Sequence, residues 1–156
     1  LDFKDRRRVV MTPNRYTELF FLDEATALAA GHRPCAECRR KDFIAYATLW
    51  NTVRNKPGRA YVKEMDPILH GERRASATNQ QPQPVPTDTL PDGVFVSIGN
   101  EPHLVWQNHL WLWTIHGYEQ RNRKTDNRAG LLITPPATRD ILKAGYIPAV
   151  HCSAIG

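Results

Sequence analysis

The chain contains 156 residues, 41% of them apolar and 24% charged, and carries a net charge of +5, as expected for one globular domain or one domain with a small appendage. The positive charge favours an acidic partner such as nucleic acid, although a solvated basic surface gives the same balance. Three cysteines, two of them in one C-x-x-C motif, do not form the pattern of a secreted disulfide framework and favour a reducing, cytoplasmic setting. No apolar run has membrane-spanning length and no signal peptide is recognisable, so we expect no membrane partner.

The N-terminal part of the chain predicts two short strands and a helix. Residues 7–11 and 17–22 have the β-branched or aromatic content of strands. Asp23 is a suitable N-cap for a helix over residues 24–30, which are rich in alanine. Gly31 ends that helix, because glycine readily adopts the left-handed conformation of a C-cap.

Two further helices are predicted before a long polar segment. The first covers residues 35–53, and its apolar stripe indicates a face turned to the core. The stripe consists of Phe43, Ala47 and Trp50. Asp66 and Pro67 have the pattern of an N-cap and a first-turn proline, which predicts a short helix over residues 66–74. Residues 77–91, rich in Gln, Pro, Thr and Asn, are interpreted as a linker or long loop.

Beyond this segment the apolar pattern changes to a period of two, which is typical of antiparallel strands. The predicted strands cover residues 94–98, 103–107, 109–115 and 130–134. Residues 119–128 are predicted to be a charged loop, and a last helix is expected over residues 138–144.

The predicted fold class is therefore α+β, with an N-terminal strand–helix–helix unit that binds zinc, followed by a small antiparallel sheet and a C-terminal helix. The metal-binding unit would cover residues 1–76, the linker residues 77–91 and the β region residues 92–156. We expect the β region to pack on the first unit, because a part of about 65 residues is marginally stable alone.

Cys35 and Cys38 are the strongest candidate site, as one half of a structural zinc site at the beginning of a helix. The free N–H groups and positive end of a helix favour thiolates, and zinc binds deprotonated sulfur in a tetrahedron of four ligands. The internal candidates for the other two ligands are His32, His151 and Cys152. His32 is more simply a residue of the linker between two helices. A further alternative is that the chain is a fragment whose remaining ligands precede Leu1, since it does not begin with Met.

In residues 17–40 an aromatic strand, an alanine-rich helix, the sequence Gly31-His32-Arg33-Pro34 and the Cys35-x-x-Cys38 pair follow in this order. This segment resembles the second half of the zinc-binding N-terminal domain of the Ada DNA alkylation-repair proteins. The resemblance implies that the cysteine pair is the structural pair of a four-cysteine zinc site in a DNA-binding repair domain. The reactive pair of that family, which includes the methyl acceptor, has no counterpart, because the family spacing leads to residues 4–8, where no cysteine occurs.

The first candidate function is a zinc-stabilised domain that binds nucleic acid, such as DNA, through its basic surface. Arginine and lysine clusters contact phosphates without reading the base sequence. The clusters are Arg6-Arg7-Arg8, Arg33 and Arg39-Arg40-Lys41, and the proposed nucleic-acid contacts are Arg33, Arg39 and Arg40.

Two alternatives remain open. In the first, zinc only stabilises a structural or protein-interaction module, and the tryptophans at strand spacing lie in a core or an interface. These are Trp106, Trp111 and Trp113. In the second, the protein is a thiol–disulfide redox enzyme that uses the C-x-x-C pair. An enzyme is otherwise not favoured, because no Ser-His-Asp arrangement, phosphate loop or dinucleotide motif is present.

Overall fold

The computed structural model describes residues 19–75, 83–126 and 128–154, with the backbone alone at residues 120 and 121. Within these ranges the chain forms four α-helices and a six-stranded antiparallel sheet, which confirms the predicted α+β class. No helix in the described ranges has both the length and the apolar character needed to span a membrane. The strand predicted over residues 7–11 lies outside the described residues.

In the described part of the chain three α-helices come first, six strands follow, and a fourth helix comes after the last strand. The helices are α1 (Glu24–Ala29), α2 (Arg40–Thr52), α3 (Val62–Ala75) and α4 (Pro136–Lys143). The strands are β1 (Val85–Pro86), β2 (Phe95–Ile98), β3 (Glu101–Trp106), β4 (His109–Thr114), β5 (Gly117–Arg123) and β6 (Ala129–Leu132). The strand order in the sheet is β1-β6-β2-β3-β4-β5, with every neighbouring pair antiparallel.

Both predicted ends of α1 are confirmed. The Oδ1 atom of Asp23 accepts a hydrogen bond from the Thr26 backbone N–H at 2.8 Å, which is the expected N-cap geometry. Gly31 has φ +76°, and a Cβ there would lie 2.5 Å from the Arg73 Cγ, so only glycine fits. The strand predicted over residues 17–22 is wrong in its described part, since residues 19–22 form no strand. Leu22 instead packs on the core beneath α1.

The other two N-terminal helices begin at different residues from those predicted. Residues 36–39 form a turn, and Arg39 keeps a non-helical backbone (φ −125°, ψ 48°), so α2 begins after the cysteine pair. Helix α3 begins at Val62, because the Glu64 side chain accepts the Tyr61 N–H at 2.7 Å and satisfies one free donor of the first turn. Pro67 therefore lies inside α3, and the predicted N-cap role of Asp66 is wrong.

The predicted strands at residues 94–98, 103–107, 109–115 and 130–134 correspond to β2, β3, β4 and β6, with shifts of one or two residues at most ends. The charged loop predicted at residues 119–128 is wrong, because β5 occupies residues 117–123 and pairs with β4. Strand β5 lies at the edge of the sheet, where polar side chains are suitable. Its sequence therefore lacks the alternation of apolar residues by which a strand is recognised. Within the segment interpreted as a linker or long loop, residues 85–86 form β1, where Val85 is paired with Gly130.

The sheet is covered on both faces. On one face, β2, β3 and β4 pack against α2, α3 and α4 in a cluster that includes the predicted stripe of α2. On the other face, the intervening strand residues, among them Trp106 and Trp111, pack against α1 and the C-terminal segment. Helix α1 joins the two clusters, because Leu28 belongs to the first and Ala25 to the second. Residues of both predicted units thus share the first cluster.

Two carboxylates at the start of α1 bind the C-terminal segment. The Oδ2 atom of Asp23 accepts from the Tyr118 hydroxyl at 2.8 Å and from the His151 N–H at 2.9 Å. Glu24, only 7% exposed, accepts from the Tyr146 hydroxyl and the Ala149 N–H, both at 2.8 Å. Burial, followed by the nearby carboxylates, raises the pKa of both tyrosines, so each phenol stays a donor.

We expect Asp23→Asn to lower the free energy of unfolding by roughly 2 kcal/mol. The amide oxygen can still cap α1, but an amide NH₂ in place of Oδ2 cannot accept from Tyr118 or His151. Chemical denaturation measures the change, and Asp88→Asn is the matched control, since Asp88 is exposed in a short 3-10 turn. Equal stability of the two variants would contradict this role of Asp23.

Candidate metal centre

The cysteine pair lies on a short turn between α1 and α2. Ala36 packs against the first core cluster and Pro34 is buried. Cys35 and Cys38, by contrast, are exposed and form no disulfide. The Arg39 N–H donates to the Cys35 carbonyl at 3.2 Å. The turn is therefore anchored to the protein by its apolar residues, while both thiols face outward.

Arg33 fixes the entry to this turn. Its guanidinium forms two parallel hydrogen bonds to the Asp66 carboxylate, of 2.7 and 3.0 Å, a bidentate geometry that is stronger than a single ion pair. It also donates to the Pro34 carbonyl at 3.1 Å and lies over the ring of Phe43, 5.3 Å from the centroid. Arg33 thereby joins the residue before the cysteines to α2 and α3.

Arg39 fixes the exit from the turn. Its guanidinium lies 2.7 Å from the Asp42 carboxylate, one turn along α2, and 3.2 Å from the buried carboxylate of Glu24 on α1. The second contact supplies a cation to a carboxylate that is costly to bury alone. The position of the turn thus depends on two arginines, one at each side of the cysteine pair.

The ion pairs of the cysteine turn use two of the three arginines for which nucleic-acid binding was predicted. Arg33 and Arg39 both use their guanidinium groups within the fold, so a phosphate would have to compete with Asp66, Asp42 and Glu24. Arg40 is exposed and has no ion pair to any residue within the described ranges. The nucleic-acid role of all three stays a prediction. The cluster at residues 6–8 lies outside the described residues.

The two thiols differ in acidity, although they lie within hydrogen-bonding reach of each other. Partial burial raises the pKa of Cys35, but the backbone N–H groups of Cys38 and Glu37 and the Cys38 thiol outweigh it, and the net shift is downward. The pKa of Cys38 is raised, first by burial and then by its hydrogen bond to Cys35 and the charge there. Cys35 is therefore the more acidic of the two thiols and loses its proton before Cys38.

The described residues supply no third ligand. Nowhere in these ranges do three or more His, Cys, Asp or Glu side chains come close enough to hold a metal ion. The ring of His32 lies against Phe21, with centroids 5.2 Å apart, and its pKa is lowered by burial and then by Arg73. His151 hydrogen-bonds to Ser153, and Cys152 is exposed at the start of a short 3-10 turn. None of these three residues joins the cysteine pair in a ligand group.

The tryptophans predicted to lie in a core or an interface are placed in the second core cluster. Trp106 and Trp111 are buried, Trp113 is partly buried beside them, and the Trp111 indole donates to the Trp106 carbonyl at 3.1 Å. The carboxylates that position the cysteine turn, Glu24 and Asp66, were missed in the sequence. Glu24 is the acidic residue of the first turn of α1, which explains it locally, and the separation of 33 positions between Arg33 and Asp66 leaves no local signal of their contact.

Comparison of the chain with protein-family models, with curated proteins and with solved structures found no match in any of the three. The resemblance to the Ada zinc-binding domain is therefore neither supported nor opposed by relatives. The geometry of the turn carries the functional conclusion.

We expect iodoacetamide to alkylate Cys35 faster than Cys38 at neutral pH, because only a thiolate reacts and the two pKa shifts have opposite signs. The preference should fall as the pH rises above the ordinary thiol range, where both groups are deprotonated. Mass spectrometry of peptides from reduced, metal-free Cys152→Ser protein measures both rates. Faster modification of Cys38 at neutral pH would show that the assignment of the thiolate is wrong.

Proposed function

We propose that Cys35 and Cys38 bind one soft divalent metal ion, zinc in the first place, and that the metal stabilises the unit formed by α1 and α2. The observation that carries this is the turn itself, in which two exposed sulfurs lie together and backbone N–H groups favour a thiolate at Cys35. Zinc is bound by thiolates and prefers sulfur ligands in structural sites. A bound cation would also relieve the repulsion between two thiolates, so metal binding should release a proton from Cys38.

The pair provides two of the four ligands that zinc requires. The other two have to come from solvent or from residues outside the described ranges, since no third ligand lies beside the pair within them. The turn is already held by Arg33 and Arg39 and by the burial of Pro34. We therefore propose a metal that stabilises an existing turn, rather than one on which folding depends, in a reducing compartment such as the cytoplasm.

A thiol–disulfide redox function is the second candidate. It is favoured by the opposite pKa shifts of the two neighbouring thiols. In that reaction the Cys35 thiolate attacks a substrate disulfide, and one substrate thiolate leaves and takes up a proton. Cys38, after losing its proton, then attacks the mixed disulfide, which leaves the pair oxidised and the substrate reduced.

We expect the purified 156-residue chain, prepared under reducing conditions, to contain close to one zinc ion per chain by elemental analysis. Cys35→Ser and Cys38→Ser should each lose most of the zinc, because a serine hydroxyl is a poor zinc ligand. Cys152→Ser is the matched control and should keep the metal, since Cys152 is also exposed but lies outside the C-x-x-C turn.

Cobalt substitution and oxidation separate the two candidates. If metal is bound, Co²⁺ should give sulfur-to-cobalt charge-transfer absorption that both cysteine variants lose. Metal-free chain that instead forms a Cys35–Cys38 disulfide reversibly, seen as the loss of two hydrogen atoms by mass spectrometry, supports the redox candidate. Equal zinc content in all three serine variants would exclude the pair as the site.

A further inference from the structure

A second exposed site lies at the other end of α2, on the loop that leads to α3. We define the α2–α3 surface by Lys56, Arg59, Tyr61 and Lys63, all of which are exposed. The Tyr61 ring is 64% exposed, and the Lys63 ammonium lies 6.0 Å from its centroid. No ion pair joins these cations to an acid within the described ranges. The surface thus combines an open aromatic ring with cations whose charge is not neutralised.

The backbone of this loop is fixed, so the side chains start from a defined frame. Asn51 accepts the Lys56 N–H at its carbonyl (2.9 Å) and donates its side-chain amide to the Pro57 carbonyl at 3.0 Å. The Ala60 N–H donates to the Ala47 carbonyl of α2 at 2.9 Å, and Ala60 is buried. A loop held in this way loses little backbone entropy when a ligand binds.

Of the two acidic side chains that follow Tyr61, one keeps its negative charge and the other is paired with a cation. The Glu64 carboxylate accepts the Tyr61 N–H at 2.7 Å, and the Asp66 carboxylate is bound by the Arg33 guanidinium. The positive potential of the surface is therefore lowered only in part, and an anionic ligand can approach it.

We propose that the α2–α3 surface binds single-stranded nucleic acid, with a base stacked on Tyr61 and phosphates at Lys56, Arg59 and Lys63. An exposed ring among cations matches a strand in which flat bases alternate with phosphates. A duplex keeps its bases stacked inside the helix and offers Tyr61 no free face, so the aromatic ring favours the single strand. The net charge of +5 assists association over longer distances.

This inference goes beyond the proposed metal site and uses none of its residues. It also differs from the nucleic-acid contact predicted in the sequence, which was placed on Arg33, Arg39 and Arg40. Those arginines lie before or at the beginning of α2, whereas the α2–α3 surface follows the end of α2.

The test measures binding of a short, fluorescently labelled oligothymidylate to the full chain by anisotropy over a series of salt concentrations. We expect Tyr61→Ala to weaken binding roughly tenfold or more, in keeping with the loss of one stacked base. Tyr61→Phe should bind like the original chain, because the ring is retained. Arg59→Gln should weaken binding and lower the slope of log K against log salt by about 0.7.

Two variants serve as controls. Ile115→Ala removes a side chain that is 77% exposed, and Arg123→Gln removes an exposed cation on the edge strand β5. Neither should change binding by more than about twofold, since neither side chain belongs to the α2–α3 surface and one cation elsewhere adds little to a screened interaction. Circular dichroism and the melting temperature of each variant establish that the fold is kept.

Three results would overturn the proposal. The first is absence of binding at low salt. The second is binding that Tyr61→Ala leaves unchanged, which would show attraction of phosphates alone. The third is binding of polyglutamate, or of a duplex of the same length, with the same dependence on Tyr61, which would identify an acidic protein or a duplex as the partner. Zinc content of Tyr61→Ala, measured in parallel, keeps this outcome separate from that of the metal site.

Discussion

The structure depends on two adjacent carboxylates in the first turn of α1. Asp23 and Glu24 accept hydrogen bonds from the capped end of the helix, from Tyr118 on β5 and from three donors of the C-terminal segment, and Glu24 also binds Arg39 before α2. A carboxylate as buried as Glu24 is costly without such partners. The two carboxylates therefore have all their hydrogen-bond partners only when α1, the edge strand β5 and the C-terminal segment are in place together. This requirement couples parts of the chain that are distant in sequence.

The cysteine turn derives its position from the same arrangement. Glu24 binds Arg39 on one side of the turn, and Asp66 of α3 binds Arg33 on the other. Held at both ends and anchored by Ala36 on the core, the turn presents its sulfurs to solvent. Basic residues beside a C-x-x-C motif therefore have two explanations, attraction of an external anion and attachment to internal carboxylates, and here Arg33 and Arg39 show the second.

Local sequence signals predicted the elements that local chemistry determines. Asp23 and Gly31 marked α1, and the apolar alternation marked β2, β3, β4 and β6, because caps and side-chain periods act within a few residues. Strand β5 was missed because most of its side chains are polar. Its pairing with β4 depends on backbone hydrogen bonds, which leave no pattern in the sequence. The start of α2 was misplaced because a C-x-x-C pair fits both a first helical turn and the turn before it. The partners of Arg33 and Glu24 are distant in sequence and appear only with the fold.

Helix α2 determines how the two proposed sites relate. In the chain the cysteine turn precedes the helix and the α2–α3 surface follows it. The loop nevertheless returns along α2, since the Ala60 N–H binds the Ala47 carbonyl, and Asp66 of α3 binds Arg33 beside the turn. Between the sites, α2 is rigid, since Tyr46, Ala47 and Trp50 are buried in the core. A metal could influence ligand binding by shifting α2 as a body or through the Arg33–Asp66 pair, and the ion pairs of Arg33 and Arg39 oppose both movements. We therefore expect loss of either site to leave the other intact.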